Sequence, residues 1–378
     1  MTSFLKDNIS DAFLLLNGIS GIGPITAKNL LSAFKGNPCA VFEASERELI
    51  TIPGVGKKII SSIKNPNNYE WLQSEKGKIK QRNATFLIQS DLPDFLLQIY
   101  DPPIGLYVSG TIPDRPCVGI VGTRIPTMYG IKQSKKLAYD LTKAGFCIVS
   151  GMARGIDTSA HEGALDAGGP TLAFLGSGLD IIYPPENLTL YKRIMENGAV
   201  VSEFPFGRRA DRTTFPMRNR LVSGISQGVV VVESADSGGS LITAQFCAEQ
   251  GRSVFAVPGR VDQPSSAGCH KIIREGATLI TSARDIIEDL RPCLDTIQTN
   301  LDLDDGENSS SANNFNQLHD FGPNEKLLLK VLSEGELLSF DELSKRTSLS
   351  VSEAMSALSL LELSRVIKKH INGKFEIS

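Results

Sequence analysis

Between residues 104 and 257 short apolar runs alternate with longer amphipathic ones. Ile104–Val108, Val118–Val121, Phe146–Val149, Thr171–Leu175, Ala199–Glu203, Gly228–Glu233 and Val254–Val257 are short and apolar enough to be buried strands. Helical periodicity fills the gaps, over Tyr129–Ala144, from Ile156 onward, over Leu188–Asn197, over Leu221–Ser226 and after Ser240. Gly145 and Gly198 stand where two of these helices should stop. Strands alternating with helices at this spacing predict an α/β fold, a Rossmann-like parallel sheet wound on both faces.

The flanking segments have other periods. Residues 4–64 are helical, broken by two glycine hairpins, Gly18–Pro24 and Ile52–Lys58, each followed by a helix. Each has the form of a helix-hairpin-helix unit. Gly21, Gly23, Gly54 and Gly56 free the backbone to face a phosphate, and Lys57 and Lys58 are placed to help. A bare helix–helix turn would use the same glycines, so a compact helical domain without DNA contact stays open. A mixed connector over 65–100 leads into the α/β part. Residues 291–322 are polar and acidic and predict a disordered linker. From 323 to 378 three helical periods precede an alternating close around Asn372-Gly373, a hairpin signal, which together predict a winged-helix domain. Its third helix gathers Ser, Ala and Leu around Glu353, without the Arg, Lys, Asn or Gln that reads base edges, so a protein contact is expected there. The expected domains are thus 1–80, 81–290, 291–322 and 323–378.

The net charge of −3 is unevenly spread. Residues 1–90 hold 11 Lys/Arg against 7 Asp/Glu, and residues 291–322 hold 1 against 6. That excludes a uniformly basic coating protein, so any nucleic-acid binding must be local. No apolar run approaches the ~20 residues of a membrane span, and the start lacks a basic, cleavable leader; a cytoplasmic protein is expected. The six cysteines form no Cys-x-x-Cys pair and the four histidines no ligand pattern, so no metal is expected and buried free thiols are. His161, four residues after Asp157, reads as a structural hydrogen-bonding residue rather than a catalytic one.

The chemistry gathers where strands end. Gly122-Thr123-Arg124 and Gly151-Met152-Ala153-Arg154-Gly155 each join a strand to a helix, which places small residues and an arginine at the carboxyl edge of the sheet. Glycines admit close approach, helix N-termini attract anions, and guanidinium forks suit phosphate. Ser177-Gly178, Arg218-Asn219-Arg220 and Ser237-Gly238-Gly239 should converge on the same edge, a set better suited to a chain of phosphates than to one dinucleotide. A phosphate-binding G-x-x-x-x-G-K-[ST] loop is absent, no G-x-G-x-x-G follows a strand, and no His pairs with a Ser or Cys. No cofactor and no catalytic residue are expected.

The ordered motifs VGIVGTR, SGMARGIDTSAHEGAL, LGSGLD, YPPEN, SEFP, FPMRNRLVSG, VVVESADSGGSLITA and VFAVPGR resemble the DprA/Smf family of DNA-processing proteins from about Ile104 to Ala283. The tandem hairpins, a SAM-like arrangement, and the winged-helix close fit its longer architecture. The resemblance implies a non-enzymatic homodimer that binds single-stranded DNA at this sheet edge, protects it and helps load RecA in natural transformation. It assigns phosphate contacts to Arg124, Arg218 and Arg220, and close backbone approach to Gly122, Gly151, Gly155 and Gly239. Asn219 either contacts DNA or braces a loop; Arg154 either contacts DNA or braces its own turn. Asp157, Glu203 and Glu233 should orient loops and arginines. At Tyr183–Asn187 the chain lacks the basic residue that often follows Tyr-Pro in this family. Two alternatives stand: a nucleotide-processing enzyme of the lysine-decarboxylase-like phosphoribohydrolase fold, with Glu233 its one plausible acid, and a recombination factor outside transformation.

Overall fold

A computed structural model describes residues 8–291, 322–332, 338–347, 349–363, 367–369 and 374–377. The chain divides into two units, Met1–Leu303 and Asp304–Ser378.

The first unit is built on a nine-stranded sheet: β1 (Thr85–Ile88), β2 (Gly105–Gly110), β3 (Cys117–Gly122), β4 (Cys147–Ser150), β5 (Thr171–Leu175), β6 (Ala199–Ser202), β7 (Gly228–Val232), β8 (Ser253–Ala256) and β9 (Thr278–Leu279). Their spatial order is β1-β2-β6-β5-β4-β3-β7-β8-β9. From β6 to β9 all neighbours are parallel, while β1 and β2 extend the sheet in antiparallel fashion. The chain winds outward from β3 through β6, then crosses back to lay β7 beside β3. The order therefore reverses between β3 and β7, and the crevice that binds ligands in such sheets opens near there. The central strands are apolar because both their faces are covered: Ile120, Val149, Leu172 and Val230 are fully buried.

The helical start is not a separate body. Leu15, Leu16 and Leu30 share one core with Tyr107, Leu190 and Phe206 of the α/β part. Phe86 and Phe206 pack edge-on against Tyr107, with ring centroids 5.0 and 5.5 Å away. Asn17 Nδ2 donates to Glu203 O at 2.9 Å, and Phe206 N donates to the buried Glu75 Oε1 at 2.8 Å. The two glycine hairpins lie against each other. Gly21 (φ +91°) faces Ile59, Gly54 (φ +82°) faces Thr26, and Asn29 Nδ2 donates to Pro53 O at 3.0 Å.

Helix Thr214–Ile225 begins seven residues before the expected start. Pro216 falls in its first turn, where a missing N–H costs nothing. The Phe-Pro-Met-Arg-Asn-Arg motif is therefore helical rather than a loop.

In the second unit, helices Pro323–Leu332, Phe340–Thr347 and Val351–Leu363 pack around Leu328, Leu343 and Leu361 beside a three-stranded antiparallel sheet. That is the winged-helix arrangement. Helix Val351–Leu363 contains no basic residue, and Glu353 is spent on its start, accepting from Ser350 N at 3.0 Å. Residues 292–321, most of the expected linker, and the Asn372-Gly373 turn lie outside the described residues.

Candidate nucleic-acid interface

A pocket opens above the carboxyl ends of β3, β4 and β5. It is lined by Arg124, Gly151, Ala153, Arg154, Leu175, Gly176, Ser177, Tyr183, Pro184, Ala210, Phe215 and Arg218. Three guanidinium groups and two aromatic rings thus meet in one concavity.

Arg218 forms the floor. It is 5% exposed, its Nη1 donates to the carbonyls of Gly151 and, at 2.6 Å, Phe174, and its Nε donates to Asn219 Oδ1 at 3.0 Å. Asn219 is therefore a brace for Arg218. Burial brings the guanidinium down to about 10; Asp157 opposes that trend and Arg124 adds to it, so it remains charged at neutral pH. Arg124 lies over Phe215, its guanidinium carbon 5.1 Å from the ring centroid, and Tyr183 leans on the same ring at 6.1 Å. It belongs to none of the ion pairs found among the described residues. Arg154, at the rim, pairs with Glu186.

Two of the backbone N–H groups on the Gly151–Gly155 turn are already used. Gly151 N and Ala153 N donate to Asp157 Oδ2 at 3.1 and 3.3 Å. Asp157 is buried, which raises its carboxyl, while Arg218 pulls it back down. The acceptor seated on this turn is the protein's own carboxyl, and the positive charge that faces the pocket comes from guanidiniums. Gly178 N is likewise committed, to Arg208 O at 2.8 Å, and Ser177 Oγ donates to Ile181 O at 2.7 Å, though Ser177 still lines the pocket.

Gly122, Thr123 and Gly155 support the pocket from behind. Gly155 (φ +80°) passes so close to the preceding turn that a Cβ would sit 2.4 Å from Thr123 O; a Cβ on Gly122 would meet Val232 O at 1.9 Å. Thr123 N donates to Glu233 O at 2.8 Å and Ile156 N to Thr123 O at 3.2 Å, so the two turns are stitched together.

Arg220 corrects the sequence reading. It is 2% exposed, its guanidinium pairs with the buried Glu203, and Asp101 is 3.3 Å away. Two positions on a helix differ by about 200°, so Arg218 and Arg220 cannot share a face. Arg220 is a buttress of the core, turned away from the pocket. Ser237, Gly238 and Gly239 also fall outside the lining. They follow β7 and open helix Gly239–Glu249, where a Cβ on Gly238 would meet Ser234 Oγ at 2.2 Å.

Glu233 bears on the enzyme alternative. Its Oε2 accepts from Thr127 N at 2.8 Å and its Oε1 from the Thr127 hydroxyl, at the start of helix Met128–Lys143. Both oxygens are engaged in fixing the start of that helix. His161 is fully buried and driven down to about 3 by that burial, with Arg218 adding to it. Its Nδ1 sits 2.6 Å from Thr171 Oγ1, which itself donates to Ile148 O, so Nδ1 carries the proton.

The hairpin residues lie together, outside the pocket lining. Gly23 and Gly56 precede helices Pro24–Ala33 and Lys57–Ile63 without a side-chain cap, and Lys57 and Lys58 are exposed in the first turn of the second helix. Positive charge there opposes the helix dipole, so it does not serve helix stability.

Tyr183, Phe215 and Ala210 also line the pocket, beyond the residues that the sequence motifs single out. The basic run Gly207-Arg208-Arg209-Ala210-Asp211-Arg212 was the available signal for the rim. Arg208 pairs with Asp211 at 2.6 Å, while Arg209 and Arg212 are exposed.

Comparison with known proteins agrees with this architecture. The model of the DNA recombination-mediator protein A family matches residues 83–291, that of the SAM-like helix-hairpin-helix tandem residues 13–65, and that of the DprA winged helix domain residues 322–373. Protein Smf of Synechocystis is 37% identical over 74% of this chain and 72% of its own length. The DNA processing protein DprA of Bacillus subtilis is 43% identical over 55% of this chain and 71% of its own length. The crystal structure of Streptococcus pneumoniae DprA superposes with a TM-score of 0.65 at 30% identity, covering 74% of this chain and 97% of that one. Helicobacter pylori DNA processing protein A, a structure described for its single-stranded DNA binding mode, superposes with a TM-score of 0.51 at 31% identity, covering 55% of this chain and 96% of that one. The length of the family match, the order of the three domains and the share of the Synechocystis relative that is covered all lead to one conclusion: this chain belongs to the DprA/Smf family of DNA recombination-mediator proteins.

Proposed function

We propose that the protein binds single-stranded DNA in the pocket above β3–β5, protects it, and promotes RecA loading during transformation or recombination, acting as a homodimer and without catalysis. The observation that carries this is the pairing of guanidiniums with stacked aromatic rings. Arg124, Arg154 and Arg218 offer positive charge to successive phosphates, while Phe215 and Tyr183 offer π-faces on which any base can stack. Duplex DNA hides its base faces, so such a pocket favours a single strand. Ser177 lies along the path of the strand, and Gly151 admits Arg218 to the floor; Gly122, Thr123, Gly155, Gly178, Asn219 and the Ser237-Gly238-Gly239 turn hold the loops. The tandem hairpins, through Lys57 and Lys58, supply a secondary backbone contact. The Helicobacter pylori relative supports the ligand class. The absence of catalysis is supported by Glu233, whose two oxygens are both taken by Thr127.

The functional half of the proposal is tested by RecA filament assembly on single strands already coated with single-strand-binding protein. The protein should shorten the lag before assembly, and Arg124→Ala should shorten it less. An unchanged lag would remove the loading role while leaving binding to be judged separately.

A further inference from the structure

The pair between Arg154 and Glu186 at the pocket rim is more than a chance meeting of surface side chains. Glu186 lies in the short turn Pro185–Asn187, entered through two consecutive prolines. Its neighbour Asn187 is buried and donates from Nδ2 to Met152 O at 3.0 Å and to Thr158 Oγ1 at 2.9 Å. Those two residues bracket Arg154 in the chain, so the turn carrying Glu186 is fastened to the segment carrying the arginine. The carboxylate sits on Arg154 Nε, a donor that a phosphate oxygen would use. Both side chains remain about half exposed, at 54% and 51%, so an incoming anion can reach them.

Carboxylate and phosphate compete for the same guanidinium donors. We propose that Glu186 is an internal competitor of the DNA backbone: it neutralises Arg154 in the empty pocket and is displaced when a strand enters. The inference rests on the reading of the pocket as a single-strand site and goes beyond it by assigning a residue that weakens that site. Arg124 and Arg218 carry the capture of the first phosphate, because neither is ion-paired among the described residues. Arg154 joins only by exchanging partners. The exchange also mutes the salt response, since a released Glu186 takes up a cation as the phosphate gives one up.

The test is a fluorescence-anisotropy titration of labelled oligothymidylate against the full chain, with Glu186→Gln, Arg154→Gln and the double variant. Exposed ion pairs are weak, so Glu186→Gln should bind roughly two- to five-fold tighter than wild type. Its salt slope should be steeper, and Arg154→Gln should be weaker than wild type. The double variant should match Arg154→Gln alone, because the competitor has nothing left to compete for. Affinity unchanged or reduced in Glu186→Gln would overturn the proposal, as would a gain that persists without Arg154. Wild type failing to bind at low salt would instead overturn the pocket reading, and this inference with it.

Discussion

The guanidinium of Arg218 fills the space beside Gly151 that any other residue would need: a Cβ there would lie 1.9 Å from Nη1. Arg218 in turn donates to Gly151 O, so the absent side chain and the buried arginine define each other. The glycine admits an arginine to the pocket floor; it is not there chiefly to admit a ligand.

Gly151→Ala should therefore behave like an arginine mutant. Overpacking of this kind costs about 1–3 kcal/mol, and Arg218 must leave its two carbonyl acceptors. Thermal unfolding should register the loss, and single-strand affinity should fall as far as in Arg218→Ala. A variant with wild-type affinity would show that Arg218 does not act from its observed position.

Arg220 should separate from Arg218 in a matched experiment. Removing it leaves Glu203 buried without its partner, a loss of about 3–5 kcal/mol for broken buried pairs. Arg220→Met should unfold at markedly lower denaturant, and Arg220→Met with Glu203→Leu should recover much of that stability. At temperatures where the variants are folded, DNA affinity should stay close to wild type. Strong loss of affinity in the folded double variant would restore Arg220 to the site.

His161 makes a prediction about acid. The folded state refuses its proton until about pH 3, whereas the unfolded chain accepts it from 6.5 downward. Stability from this residue is therefore complete above 6.5 and lost progressively as the pH falls toward 3. The buried carboxyls of Asp157 and Glu203, raised by desolvation, act with the opposite sign, so the comparison must be with His161→Asn. Between pH 7 and pH 5 wild type should lose roughly 2 kcal/mol more than the variant, measured by denaturant unfolding. Parallel pH profiles would mean that His161 titrates normally in the fold.

The sheet was legible because burial on two faces leaves a plain apolar signal: Thr171–Leu175 and Leu188–Asn197 fall where periodicity places them. The antiparallel pairing of β1 with β2 and of β2 with β6 is non-local, and no period in the sequence encodes it. Arg124, Arg154 and Arg218 could be read as a group because each sits just beyond a strand or at a helix start. Arg220 could not, because its direction depends on where its helix begins. Moving that start from Leu221 to Thr214 turns two neighbouring arginines onto opposite faces. Tyr183 and Phe215 stayed hidden since an aromatic residue in an apolar context looks like core until its exposure is known. The occupation of the Gly151 and Ala153 N–H groups by Asp157 depends on the local path of the turn, which the helical spacing of Asp157 does not reveal.

In the proposed complex a single strand lies against Arg124 above β3–β5. The most direct test is a titration of single- and double-stranded oligonucleotides by fluorescence anisotropy across a salt series, with Arg124→Ala in parallel. Single strands should be preferred, with a negative slope of log affinity against log salt that falls by about 0.7 in the variant as one phosphate contact is lost. Equal affinity and equal slope in wild type and variant would contradict that placement.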